Sequence, residues 1–546
     1  MTSTTARPAS GSFAPLAQPT FAILWVATIL GNIGSFMRDV ASAWLATDLS
    51  TSPAAVATIQ AAATLPVFLL AIPAGVLSDI LDRRRFLIVI QIGLAMVSGS
   101  LMLLAWKGAL TIELLIGLAF VGGIGAAMMG PTWQSIVPEL VPPSTLRQAV
   151  ALNALGVNIA RAIGPATGGL LLAAFGASAT YGADLLSYIF VIAALVWWRR
   201  PVQPPDPLRE HFFSAFRAGL RFTRAHSKLH IVLLRAAVHF AFGSSIWALL
   251  PLVARQLLHG GAGLYGVLLG AVGAGAIAGA LIMPPLQKRV DADGMVLLSA
   301  MVTAVVMGVL SFAPPVWLAL PLLLLLGAAW IMALTTLGGA AQAILPNWVR
   351  GRALAVYQMV FNGAMAGGSL LWGFVAQAMG TPHALLVASI GLVIAAALLH
   401  RVRLPRGEED LVPAQHWPEP EMADGMADRI THDRGPVMIL IEYRVLPANR
   451  DDFLRAIYKL SEERLRDGAF NWGVMEDPAD PHLMTEWFLV ESWAEHLRQH
   501  RRVPNADADV QRDIAQFHSG SEPPRVRHLL GVALPPNAPV NATDHR

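Results

Sequence analysis

The chain has 546 residues, 55% of them hydrophobic and only 14% charged, with 47 glycines, no cysteine and a net charge of +3. So little charge cannot cover a soluble chain of this length, which excludes an ordinary soluble globular protein. The lack of cysteine excludes disulfides and thiolate metal sites, and the near-balance of charge makes the position of the charges the informative quantity.

Residues 1–19 are polar, rich in Ser, Thr and Pro, and lack the charged, apolar and small regions of a cleaved signal peptide, so a cytoplasmic N-terminal tail is expected. Apolar runs follow at 22–46, 55–78, 86–106, 110–131, 149–175, 179–198, 229–257, 262–285, 295–313, 316–338, 353–378 and 381–400. Each is close to the length, about twenty residues, that an α-helix needs to cross the hydrocarbon layer. The predicted fold class is therefore an all-α membrane protein of twelve transmembrane helices. Arg83, Arg84, Arg85, Arg147, Arg199, Arg350 and Arg401 fall in alternate loops or the tail, whereas the opposite loops offer little beyond Lys107 and Arg255. The positive-inside rule then places both ends of the chain and its central loop in the cytoplasm. Topology accounts for the basic clusters, so the expected surroundings are a lipid bilayer and no nucleic acid.

The loop at 201–228 combines four prolines with an amphipathic stretch from Phe212 to Phe222, and separates a six-span half at 20–200 from another at 229–400. The halves echo each other. PELVPPSTLRQAVALN, from Pro138 to Asn153, parallels PNWVRGRALAVYQ, from Pro346 to Gln358, each joining the fourth and fifth spans of its half. Internal repetition of this kind builds many secondary transporters, with the substrate site between the halves.

From 401 the chain becomes charged and Pro-rich. A linker to 435 is expected, then a small domain at 436–535 and a tail at 536–546. Val437, Ile439, Ile441, Tyr443 and Val445 alternate as in a half-buried strand, and the following patterns give the order β-α-β-β-α-β, a ferredoxin-like α+β sandwich. Its open sheet face invites pairing with another copy, a homodimer through this domain. His482, His496 and His500, with Trp472, Trp487 and Trp493, show no metal-ligand spacing, and core or solvated roles are favoured.

Ionisable residues inside a span are costly and usually have a partner or a task. Arg161 is near the middle of span five, while Arg38 and Asp39 lie roughly 6 to 8 Å outward of the middle of span one. Asp39 is the proton-exchange candidate, governed by Arg38 or Arg161, against the alternative of a fixed ion pair. Asp184 reads as structural. His239 in span seven is a second proton candidate, though packing is the commoner role for a lone membrane histidine. Gly273-Ala-Gly275 lies in an apolar helix with no preceding strand, which makes it a packing element and not a nucleotide loop.

Gly75-Val-Leu-Ser-Asp79-Ile-Leu-Asp82-Arg83-Arg84-Arg85 resembles the loop signature of the major facilitator superfamily, although Ile80 and Asp82 depart from it. The resemblance implies a cytoplasmic gate in which Asp79 latches onto the eleventh helix. Gly164-Pro165-Ala-Thr-Gly168-Gly169 resembles the superfamily's antiporter motif, with Ala151 and Ala160 at the upstream glycine positions, and implies a hinge. Gly123-Ile-Gly125 resembles the tail of a third motif, whose arginine position holds Ala119. NIGSFMRDVASAW from Asn32 to Trp44, the DRRR loop and the run from Asn158 to Pro165 together resemble the enterobactin-exporter-like branch, the transmembrane secretion effectors. The tail is similar in pattern to small antibiotic-biosynthesis monooxygenase modules. These resemblances imply export of small, siderophore- or drug-like molecules from a bacterial cytoplasm across the inner membrane, driven by inward proton flow, with no cofactor. The rival reading is a membrane-tethered oxygenase or sensor acting through the C-terminal domain.

Overall fold

The computed structural model describes residues 13–199, 222–224, 226–346, 349–405, 434–466, 468–500 and 512–532, but not the side chains of Ile72, Val76, Asp79, Ile80, Glu462, Arg466, Arg498 and His500. Most of the central loop, the linker and the C-terminal tail therefore lie outside the described residues. The chain divides into a unit of Met1–Arg209, Ile231–Ala341 and Leu354–Pro405 and a unit of Glu210–His230, Gln342–Ala353 and Arg406–Arg546.

The first half begins with α1 (Pro19–Leu49), α2 (Pro53–Ile80), α3 (Arg83–Trp106) and α4 (Ile112–Leu140). Local chemistry sets their starts. Ser52 accepts a hydrogen bond from the Ala55 amide just ahead of Pro53, Asp82 accepts one from Arg85, and Thr111 accepts one from Leu114. The helical run Leu146–Trp197 holds 52 residues, but Gly176 interrupts it at φ 81° and ψ 178°, a conformation open to glycine and strained for other residues. It is therefore two crossings, α5 (146–175) and α6 (177–197). Packing confirms the reversal: Gly156 and Gly168 meet Ile29 and Met37 in parallel order along α1, whereas α6 runs back with Tyr181 at Ser42 and Val191 at Gly31.

The second half holds α7 (Ser227–Leu252), extended by a π-helical turn at Val253–Leu257, then α8 (Ala262–Gln287), α9 (Ala292–Leu310), α10 (Val316–Ala343), α11 (Arg350–Met379) and α12 (Thr381–Leu399). Eleven apolar helical stretches long enough to span a bilayer are present among the described residues, one of which is the α5–α6 pair. The twelve expected spans thus correspond to α1–α12. The two parallel sequence segments occupy the α4–α5 and α10–α11 junctions.

The C-terminal domain has β1 (Val437–Arg444), α13 (Arg450–Arg466), β2 (Ala469–Asp477), β3 (Asp480–Val490), α14 (Trp493–His500) and β4 (Arg525–Leu530). The sheet order is β2-β3-β1-β4, antiparallel throughout, with Ile439 opposite Phe488 and His528. The β1 alternation read from sequence is the alternation of burial: Val437, Ile439, Ile441 and Tyr443 are buried and join Phe453, Ile457 and Leu460 of α13 in one core.

Candidate transport site

Three charged residues of the first half, Arg38, Asp39 and Asp184, meet where α1 packs on α6. Gly34 allows the close approach, since a Cβ there would fall 2.2 Å from the Ser187 hydroxyl and 2.7 Å from Asp184 Oδ1. Against this gap the Arg38 guanidinium donates to Tyr188 (2.7 Å) and Asp184 (3.4 Å), and its second nitrogen reaches Asp39 at 3.2 Å. Asp184 also accepts from Ser98 of α3 at 2.6 Å, and the Tyr188 hydroxyl bonds Ser35. The two carboxylates differ sharply in setting. The Asp184 side chain has no exposed surface, whereas that of Asp39 is 56% exposed. An exposed carboxylate within a membrane helix requires water beside it, so Asp39 faces a wet space and Asp184 is an anchor between helices.

Of the two arginines expected to govern Asp39, Arg38 or Arg161, Arg38 adjoins it. Gly168 of α5 meets Met37, which sets Asp39 near the level of residue 170 on α5, roughly 13 Å from the level of Arg161 by the helical rise. His239 stands apart as well. It is buried beside Arg235 against α9 and α12, lining a cavity of about 20 Å³, room for a single water. Arg235 forms a buried ion pair with Asp293, and Asp293 also accepts from the Leu404 amide. This pair secures the start of the segment after α12 and was missed from sequence.

The glycine-rich segment of α5 sits at two helix crossings. A Cβ on Gly164 would fall 2.7 Å from Phe36 Cβ and one on Gly168 would fall 2.7 Å from Met37 Cα, both on α1. One on Gly169 would fall 2.4 Å from the Gly266 Cα of α8, in the other half. Pro165 is buried between them and leaves one carbonyl without its helical donor.

At the end of the bundle opposite its termini, here the distal end, the halves are joined. Arg255, in the π-helical turn after α7, pairs with Asp48, donates to Thr47 at 2.9 Å and stands 5.7 Å from the Trp44 ring centre. Ser52 donates to Gln377 at 2.8 Å, Trp44 stacks on Tyr265, and Gly373 of α11 abuts Ala57 of α2.

The loop at Gly75–Arg85 belongs to the other, proximal end. A Cβ on Gly75 would meet nothing within 4 Å. Arg83 donates to Glu139 (2.7 Å) and to the Ser135 carbonyl of α4, and Arg84 binds the Leu195 and Val196 carbonyls that end α6. A cation at a helix C-terminus is favoured by the helix dipole. These contacts brace the first half itself, while Arg85 is exposed and the Asp79 side chain lies outside the described residues.

In the C-terminal domain the fully buried Glu486 accepts from Arg464 (2.9 Å), Trp472 (3.0 Å) and Tyr443 (3.2 Å). Burial works against the Arg464 charge, but the Glu486 carboxylate outweighs it and holds the guanidinium pKa above its ordinary value. Burial, with Glu486 adding to it, raises that of the Tyr443 phenol. His496 and His528 lie with ring centres 4.6 Å apart beside Trp493. No group of three or more His, Asp or Glu suited to a metal occurs among the described residues.

Two sets of six crossings, joined distally and carrying charge inside, define a transporter of the major facilitator type. A solved bacterial homologue of the human lysosomal transporter Spinster, in an inward-facing and unoccupied state, shares the fold with a TM-score of 0.54 and 17% identity, covering 70% of this chain and 96% of that one. Residues 10–535 match the transmembrane secretion effector family, and the chain belongs to that family. The enterobactin exporter EntS of Salmonella typhimurium is 31% identical over 336 residues, 60% of this chain and 78% of that protein. The staphyloferrin A transporter of Staphylococcus aureus is 25% identical over 332 residues, 60% of this chain and 82% of that protein.

Proposed function

We propose that the protein exports a small, siderophore-like organic molecule from the bacterial cytoplasm across the inner membrane, exchanging it for protons by alternating access. The observation that supports this most is the joined distal end: with the proximal end cytoplasmic, a chain closed toward the periplasm is in the state that loads cargo from inside. The names of the enterobactin and staphyloferrin relatives support the cargo class. Asp39, wet and paired with Arg38, is the proton site in this reading. Gly75, Asp79 and Arg83–Arg85 form the cytoplasmic gate in this reading, and Gly164, Pro165, Gly168 and Gly169 form the hinge: Gly164 and Gly168 seat α5 on α1, while Pro165 and Gly169 meet α8 where the halves rock.

The C-terminal domain then lies in the cytoplasm, and its outer sheet face, with Met438, Leu440, Trp487 and Leu489, is the surface offered to a second copy. The test is export into inside-out vesicles across a series of imposed pH gradients. Asp39→Asn is expected to abolish the dependence on the gradient, and unchanged coupling would refute the proton assignment. Deleting residues from 407 onward is expected to leave export intact. Loss of an oxidised product with normal export would instead favour the oxygenase reading.

A further inference from the structure

Arg161 occupies the middle of α5, and its neighbours fix the direction in which it points. Gly156, Gly164 and Gly168 press on α1, while Ala162, Ala166 and Gly169 meet glycines of α8 in the other half. Ile163 and Leu170 are exposed apolar side chains on the outer surface. Leu170 is nine residues from Arg161, two and a half turns, so the arginine projects to the opposite side, into the space flanked by α1 and α8. Other arginines of the bundle hold a carboxylate or carbonyl: Arg38 has Asp184, Arg83 has Glu139, Arg84 has the end of α6, Arg235 has Asp293 and Arg255 has Asp48. Arg161 has no hydrogen bond or ion pair among the described residues. An arginine at this depth is costly unless a partner or a task retains it, and no acid among the described residues fills that role.

We infer that Arg161 is the anion-recognising residue of the central space, and that the cargo carries a carboxylate. The planar guanidinium matches two carboxylate oxygens with two parallel donors, a geometry that lysine lacks. An organic anion entering between α1 and α8 supplies the counter-charge that the described residues do not, so a loaded and an empty site differ in how well this arginine is neutralised. Naming the ligand as cargo rests on the export reading. The anion site itself rests on the placement of Arg161.

The absence of cysteine from the chain makes a direct test available. Asn158→Cys places one thiol on the same side of α5, about a turn away, in the full-length protein in membrane vesicles. Its reaction rates with an anionic sulfonatoethyl and a cationic trimethylammonioethyl methanethiosulfonate report the local potential. With Arg161 present, the anionic-to-cationic rate ratio is expected to exceed that of the Arg161→Gln background by about fivefold, the effect of one nearby charge in a partly wet site. Arg161→Lys should keep the ratio. Citrate should slow labelling, triethyl citrate should not, and Arg161→Lys should weaken the citrate effect. Equal ratios in the presence and absence of Arg161, or no labelling at all, would overturn the anion site. No protection by citrate, or equal protection by its ester, would overturn the carboxylate assignment. A charge-dependent ratio in a protein that exports nothing would leave the site standing and defeat the export reading alone.

Discussion

Replacing Asp184 by Ala removes the one buried carboxylate that Arg38 reaches among the described residues, and tests whether this pair or the Arg38–Asp39 pair holds the first half together. The Asp184 side chain is sealed from solvent, accepts from Ser98 at 2.6 Å and lies 3.4 Å from Arg38. Removing one member of such a pair strands the other charge and costs about 3–5 kcal/mol. Here the lower part of that range applies, because Arg38 retains the Tyr188 hydroxyl and can lean on Asp39. Asp39→Asn removes a carboxylate that is itself 56% exposed, and leaves Arg38 its buried partner Asp184, so it is expected to cost about 1 kcal/mol or less. The assay is a double-mutant cycle of Asp184→Ala and Arg38→Met, with unfolding followed in mixed micelles. The double variant should be more stable than the sum of the single losses predicts, by about 1–3 kcal/mol, since removing both charges leaves none stranded. Additive losses within about 0.5 kcal/mol would show that the two residues do not act as a pair and would refute the reasoning.

Gly169→Val places a branched side chain where even a Cβ would fall 2.4 Å from the Gly266 backbone. It is expected to disfavour distal closure by about 1–3 kcal/mol, seen as faster labelling of distal single-cysteine probes. Arg255→Gln removes a pair whose members are both partly exposed, so its shift should be smaller, about 0.2–1 kcal/mol, and should shrink further in high salt. In the C-terminal domain, burial lowers the His528 pKa, so the unfolded chain binds protons more readily than the folded one. The stability His528 gives is present above the ordinary histidine pKa and is lost as pH falls toward the lowered folded value. The protection of the β4 amides, with the intrinsic slowing of exchange in acid divided out, should therefore fall below the ordinary histidine pKa, and His528→Gln should blunt that fall.

The spans could be read because a bilayer imposes one length on every crossing, and the C-terminal strands because period-two alternation follows a one-sided core. Val437, Ile439, Ile441 and Tyr443 show this directly. Gly176 and the kink it permits were hidden in a continuous apolar run, yet the gap between spans five and six fell on it. Side-chain partnerships were much harder to read. Asp39 adjoins Arg38 in sequence and draws attention first, whereas the buried partner is Asp184, 146 positions away, brought in by the facing of α1 and α6. The pairing of Asp48 with Arg255 has the same origin: two loop-end charges that only the meeting of the halves joins. The GPATGG segment was recognisable as a run of small residues, but Met37 and Gly266, which give it meaning, are set by tertiary packing. Arg235 with Asp293 had a weaker signal, opposite charges near the proximal ends of two spans.

A disulfide across the distal end tests the central claim, that the halves must part there during export. A Cβ on Gly263 of α8 would lie 3.5 Å from the Ala173 Cβ of α5, within the span a disulfide accepts. In the chain bearing Ala173→Cys and Gly263→Cys, and otherwise free of cysteine, oxidation should form the bond, stop export, and release it again on reduction. Export at the unmodified rate with the bond fully formed would contradict the account.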